Sequence, residues 1–116
     1  MDIWTFGCIN CVRTLPYVQK WYDRFKDQGF EIIGVHSPEF ETEKVFENVQ
    51  RNVELRKLTY PVAMDNAMKT WRAYSNRYWP AQYLVDRQGM VRRVHFGEGQ
   101  YKESEKAIEL LLKTSF

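Results

Sequence analysis

The sequence predicts an α/β fold: a central mixed sheet flanked by helices, with an extra helix and strand inserted after the first βαβ unit. Three observations predict it. Strand-like and helix-like segments alternate along all 116 residues. Their order reads β, α, β, α, β, α, β, β, α, a βαβ unit followed by a terminal ββα unit, with an extra helix and strand among the elements between them. The composition, 44% hydrophobic and 28% charged, supplies one core at a length that a single domain uses up.

Each element has its local reason. Asp2 to Thr5 reads as a strand that begins abruptly. A helix is expected from Cys8 or Ile9, with Cys11, Leu15, Val18, Tyr22 and Phe25 spaced by threes and fours as one buried stripe. Pro16 lies inside it and removes one backbone hydrogen bond, which predicts a kink. Gly29 ends it, because glycine accepts the left-handed backbone of a helix stop. Phe30 to Val35 is the second strand, and adjacent Ile32 and Ile33 predict burial on both faces. After the turn at Ser37–Pro38–Glu39 a second helix is expected over Phe40 to Leu55, turning Val45, Phe46, Val49 and Val53 inward. Tyr60 to Met64 is a short strand, and Asp65 can cap a short helix containing Met68 and Trp71. Ala81 to Val85 and Met90 to Phe96 form a hairpin around Asp86–Arg87–Gln88–Gly89, the second strand alternating as if one face were solvated. Gly97 and Gly99 end it. The last helix spans Tyr101 to Lys113, with Ala107, Ile108 and Leu111 inward.

Several function classes are excluded. The net charge is +2 with both signs interspersed, so no basic face suits nucleic acid. No apolar run reaches the length of a membrane span, so no direct membrane insertion is expected. Met1 to Gly7 lacks the pattern of a signal peptide, and the abrupt first strand suggests a single domain, residues 1–116, cut from a longer chain.

The two cysteines, Cys8 and Cys11, carry the chemistry. A disulfide across two intervening residues closes too small a loop to stabilise much, so it is better understood as a bond that opens and closes. At a helix N-terminus the unpaired amides and the dipole favour the thiolate, which is the reactive form. Cys8 is thus the expected exposed nucleophile, and Cys11, one turn in on the buried stripe, the resolving thiol. Two other readings stay open: half of a zinc site, for which only His36 and His95 remain, not in the usual spacing, or an inert buried pair.

The run Asp2–Ile3–Trp4–Thr5–Phe6–Gly7–Cys8–Ile9–Asn10–Cys11 resembles the active-site segment of the thioredoxin superfamily. Pro16 matches its helix proline, Tyr78–Trp79–Pro80–Ala81 its cis-proline loop, and Tyr83 to Gly89 the strand and turn that follow. The insert between residues 38 and 64 is similar to that of the TlpA-like and ResA-like branch. Trp4 to Pro16 and Gly34 to Phe40 resemble most closely the thioredoxin-like domain of DipZ-type cytochrome c biogenesis proteins. Gly7 stands where the family usually has Trp, and the dipeptide is Ile9–Asn10 instead of Gly-Pro.

The resemblance implies a protein-disulfide oxidoreductase that exchanges its dithiol pair with protein thiols and disulfides and needs no dissociable cofactor or metal. It further implies a cis Pro80 packed against the cysteines, with Ile9, Asn10, Trp79 and Pro80 meeting the substrate. An extracytoplasmic location, a membrane-embedded redox partner and a reductase role in cytochrome c maturation come from the same resemblance. Asp2 matches a buried acid of ordinary thioredoxins and is a candidate proton acceptor for Cys11; a frayed terminal residue is the equal alternative. His36 is expected on the surface, the other reading being an influence on the thiolate. Trp4, Phe6, Tyr78 and Trp79 are core or the apolar rim of the site. The rivals are a non-catalytic binding module and a redoxin-type peroxidase, whose Pro-x-x-x-Thr/Ser-x-x-Cys setting is missing before Cys8.

Overall fold

The computed structural model describes residues 1–114. Five strands, β1 (Asp2–Trp4), β2 (Gly34–His36), β3 (Val62–Met64), β4 (Ala81–Val85) and β5 (Val91–Phe96), form one sheet in the order β3-β2-β1-β4-β5. The pairs β1–β2 and β2–β3 are parallel, and β4 runs antiparallel to both β1 and β5. The helices are α1 (Ile9–Phe25), α2 (Phe46–Leu55), α3 (Lys69–Ala73) and α4 (Tyr101–Lys113). The predicted mixed sheet and the inserted helix and strand are both present.

The sheet is covered unequally. On one face Trp4 of β1 packs with Cys11, Leu15, Val18, Trp21 and Phe25 of α1 and Ile108 of α4, and Val53 of α2 joins them. Each fully buried aliphatic side chain there contributes about 1.5–3 kcal/mol. Tyr17 stacks on Tyr101, ring centroids 3.6 Å apart, fastening α1 to α4. The opposite face carries a smaller cluster of Ile3, Val35, Ala81 and Tyr83, closed by Trp71 of the five-residue α3 and by Trp79.

α1 runs through Pro16 without a break, and Gly29 takes the left-handed backbone after a short 3-10 turn. Asp65 does receive the start of α3: its carboxylate accepts from the Thr70 and Trp71 amides, both at 3.0 Å.

Three expectations fail, two where the cover is thin on the α3 face and around the insert, and one through the hairpin register. Ile33 is 49% exposed: it precedes β2 and lies outside the cluster of Ile3, Val35, Ala81 and Tyr83 that Trp71 of α3 closes. In the second helix only Val49 is buried; Val45 and Phe46 face solvent, and a 3-10 turn, Glu41–Lys44, precedes α2 and turns Glu43 inward instead. In β5 the alternation is inverted. Val94 and Phe96 lie on the open face, while Arg93 and His95 turn toward α1 and α4, where Arg93 Nη2 donates to Gln100 at 3.0 Å.

Candidate functional site

The site begins where β1 runs into α1. Thr5 to Cys8 is a turn in which the Cys8 amide donates to the Thr5 carbonyl at 3.3 Å. Cys8 is the N-cap of α1, with extended backbone, and its Sγ accepts the Cys11 amide at 3.3 Å. The sulfur thus takes the place of the side-chain oxygen that usually caps a helix, meeting one of the otherwise unpaired first-turn amides. Cys8 is half-buried, Cys11 is 1% exposed, and both are free thiols. Burial, then the contact with Cys8, pushes the Cys11 thiol far up from its ordinary value. Between these two sulfurs the geometry makes Cys8 the one that outside reagents can reach.

Ile9 and Asn10 stand exposed on the first turn of α1, Ile9 by 61%. The Trp79–Pro80 peptide bond is cis, and Pro80 is buried at the head of β4. Trp79 packs against both core clusters and donates its indole N–H to the Ser37 carbonyl at 2.7 Å. Trp4 is core, Phe6 and Trp79 are half-buried, and Tyr78 is exposed.

Asp2 takes the buried alternative. It is 3% exposed, and one carboxylate oxygen has no hydrogen-bond partner among the described residues. Burial pushes its carboxyl up to about 7; the adjacent N-terminal amine and the Gln82 side chain pull weakly the other way. Its charge also acts on Cys11, raising that thiol further. Asp2 shares a cavity with Gln82, Arg93, His95 and Ser104 below α1 and α4.

His36 corrects the surface expectation: it is completely buried. The parallel pairing of β1 and β2 brings it beside Trp4, and its ring meets Trp4 edge-on and stacks on Phe6, centroids 4.9 and 5.5 Å apart. Its Nε2 accepts the Phe6 amide at 3.2 Å, and burial drives its pKa down to about 4, so the ring is neutral. Beside it lies a group that sequence reasoning missed. Glu43, 2% exposed, accepts from the Thr5 hydroxyl and from the Glu39 amide. Its neighbours Glu41 and Lys44 are exposed and paired, so Glu43 resembles a member of a solvated charged run. Gly7, standing where a Trp is usual, is the one signal that something else fills that space.

Over 112 residues the chain is 47% identical to the protein DipZ of Mycobacterium tuberculosis, which covers 97% of this chain and 16% of DipZ. It is 32% identical over 111 residues to the thiol-disulfide oxidoreductase ResA of Halalkalibacterium halodurans, covering 96% of this chain and 60% of ResA. The chain therefore spans only part of the length of these relatives. Among solved structures, a thioredoxin-like protein in the oxidised form superposes with a TM-score of 0.85 at 26% identity, over 96% of this chain and 76% of the other. The fold is thioredoxin-like, with the order of strands and helices described above. Residues 2–94 match the AhpC/TSA family, and with four-fifths of its length inside that match the chain belongs to the AhpC/TSA family.

Proposed function

We propose that this domain is a thiol–disulfide oxidoreductase that reduces disulfides in protein substrates with the Cys8–Cys11 pair. One observation carries it: an accessible sulfur capping the N-terminus of α1, with a second thiol buried one turn below. The Cys8 thiolate attacks a substrate disulfide, forming a mixed disulfide and expelling one substrate thiolate, which takes up a proton. Cys11 then loses its proton, attacks Cys8 Sγ and expels the second substrate thiolate. The substrate gains two electrons and the domain is left with a Cys8–Cys11 disulfide. No dissociable cofactor enters these steps.

Asp2 is the proposed proton acceptor for Cys11. Its carboxyl, held near 7, is partly ionised at neutral pH and acts electrostatically on that thiol. Ile9, Asn10, Trp79 and Pro80 are the proposed substrate contacts, with Trp79 as an apolar wall. An extracytoplasmic place, electrons supplied by a membrane-embedded partner and use in cytochrome c maturation belong to the same proposal and rest on the resemblance to DipZ-type and ResA-like proteins. Among the described residues no helix is long and apolar enough to cross a membrane.

Reduction of insulin with dithiothreitol as electron source tests the activity. Turnover above the uncatalysed rate, abolished by Cys8→Ser, is expected; the same rate with and without the protein would refute it. Equilibration with glutathione gives the direction of electron flow. A potential near about −270 mV marks a reductant and one near about −120 mV an oxidant.

A further inference from the structure

The turn that carries Cys8 is held by contacts the exchange reaction does not use. The Glu43 carboxyl is buried, and a charged group in such a place is costly unless it is hydrogen-bonded. One oxygen accepts from the Thr5 hydroxyl and, at 3.0 Å, from the Glu39 amide. The other lies against Gly7, where a Cβ would fall inside contact distance of that oxygen and 3.1 Å from the carboxyl carbon. On the far side of Thr5, His36 Nε2 lies 3.3 Å from the Thr5 hydroxyl and accepts the Phe6 amide. Because Nε2 takes the Phe6 hydrogen it holds none of its own, so the single Thr5 hydroxyl hydrogen goes to Glu43 and His36 holds the turn through Phe6. Thr5, Phe6 and Gly7, the three residues before the nucleophile, are each in contact with Glu43 or His36.

We propose that Glu43 is a positioning residue for Cys8: its carboxyl fills the space beside Gly7 and, with Thr5 and His36, locks the turn that aims the Cys8 sulfur at the first amides of α1. This gives Gly7 a reason. The backbone there does not demand glycine, since its φ lies outside the left-handed region, but the space does. The carboxyl, tied on its other side by Thr5 and Glu39, has little freedom to withdraw. A side chain at position 7 and a carboxyl at position 43 therefore compete for one volume.

The role rests on Cys8 being the nucleophile, and its test needs no protein substrate. The variants are Glu43→Ala, Glu43→Gln, Thr5→Val and Gly7→Ala, alone and with Glu43→Ala. Two quantities are read on folded, reduced protein: the iodoacetamide alkylation rate of Cys8 at pH 7, and the midpoint potential against glutathione. Glu43→Ala is expected to slow alkylation about tenfold and to move the dithiol–disulfide equilibrium by a similar factor toward the disulfide, about 30 mV lower. Glu43→Gln, which keeps the shape and the Thr5 contact, recovers at least half of that loss. Thr5→Val and Gly7→Ala slow alkylation in the same direction, and Gly7→Ala adds nothing once Glu43 is Ala. Unchanged alkylation and potential in Glu43→Ala would overturn the role, even if that variant were less stable. So would faster alkylation in both Glu43 variants, since Glu43 would then act only through its charge, or additive effects of Gly7→Ala and Glu43→Ala. Should Glu43→Ala not fold, Thr5→Val and Gly7→Ala decide: both must slow Cys8. Insulin turnover that is absent while these shifts occur would reject the proposed function and leave the positioning role standing.

Discussion

Asp2 and His36 face the same side of the sheet, and their effects on stability run in opposite directions through the same pH range. The Asp2 carboxyl titrates at about 7 in the folded chain and at about 3.9 unfolded. Folding binds its proton, so its contribution is fully present below about pH 4 and is lost as pH rises toward 7. A difference of about 3 units corresponds to about 4 kcal/mol. His36 titrates at about 4 folded and at about 6.5 unfolded. Folding excludes its proton, so stability is lost as pH falls from about 6.5 to 4, by about 3 kcal/mol. Between about pH 4.5 and 6 each group contributes a slope of about 1.4 kcal/mol per pH unit, with opposite signs, and the two cancel. Asp2→Asn should unmask the His36 slope, so that its stability advantage over the parent grows steadily with pH across that window. His36→Gln should unmask the Asp2 slope, and this variant should lose stability with rising pH. Urea unfolding of the reduced protein at several pH values measures both. Differences from the parent cancel every other titrating group that the substitution leaves alone. An Asp2→Asn advantage that stays constant from about pH 4.5 to 6.5 would refute the buried-acid reasoning, and a His36→Gln profile parallel to the parent would refute the other half.

The remaining predictions concern single contacts. Cys11→Ser should trap a stable mixed disulfide with a disulfide-bearing protein through Cys8, while Cys8→Ser should trap none; intact-mass spectrometry distinguishes them, and equal trapping would reverse the two roles. A methyl group on Gly34 would meet Tyr60 Cε2 at 3.1 Å, Trp4 Nε1 at 3.2 Å and Val62 Cγ2 at 3.3 Å, all within the packed interior. Gly34→Ala should therefore cost about 1–3 kcal/mol in chemical denaturation. Arg24 pairs with Glu105 and Glu109 across α1 and α4 while half exposed, so Arg24→Ala should cost less than about 1 kcal/mol, and less still at high salt.

Much of the molecule was legible because its signals are local. The CxxC pair, the stripe on α1, Asp65 before a short helix and the turn at Asp86–Gly89 each declare themselves within one or two turns of chain, and the family resemblance supplied the cis bond before Pro80. What could not be read depends on which face a neighbour covers. Ile33 and Phe46 are apolar, yet no helix reaches them. Arg93 and His95 are polar, yet they face α4 because the hairpin register puts Val94 opposite Tyr83 on the other side. The hidden part of the site is of the same kind. Thr5, His36 and Glu43 are separated by 31 and 38 residues from the first of them and meet only after β2 has paired with β1. No periodicity announces a buried Glu inside Glu41–Thr42–Glu43–Lys44.

α3 has five residues, and a helix that short does not persist by itself in water. It exists because the Asp65 carboxylate, 7% exposed and also receiving the Ser37 hydroxyl at 2.8 Å, takes its first amides, and because Trp71 rests on Trp79 with centroids 4.1 Å apart. Amide hydrogen exchange follows from this. The Thr70 and Trp71 amides can swap their hydrogens with solvent only when that carboxylate lets go, and letting go also withdraws the ring that backs Trp79. Their exchange rates therefore clock how often the support of Trp79 comes loose while the rest of the sheet stays shut.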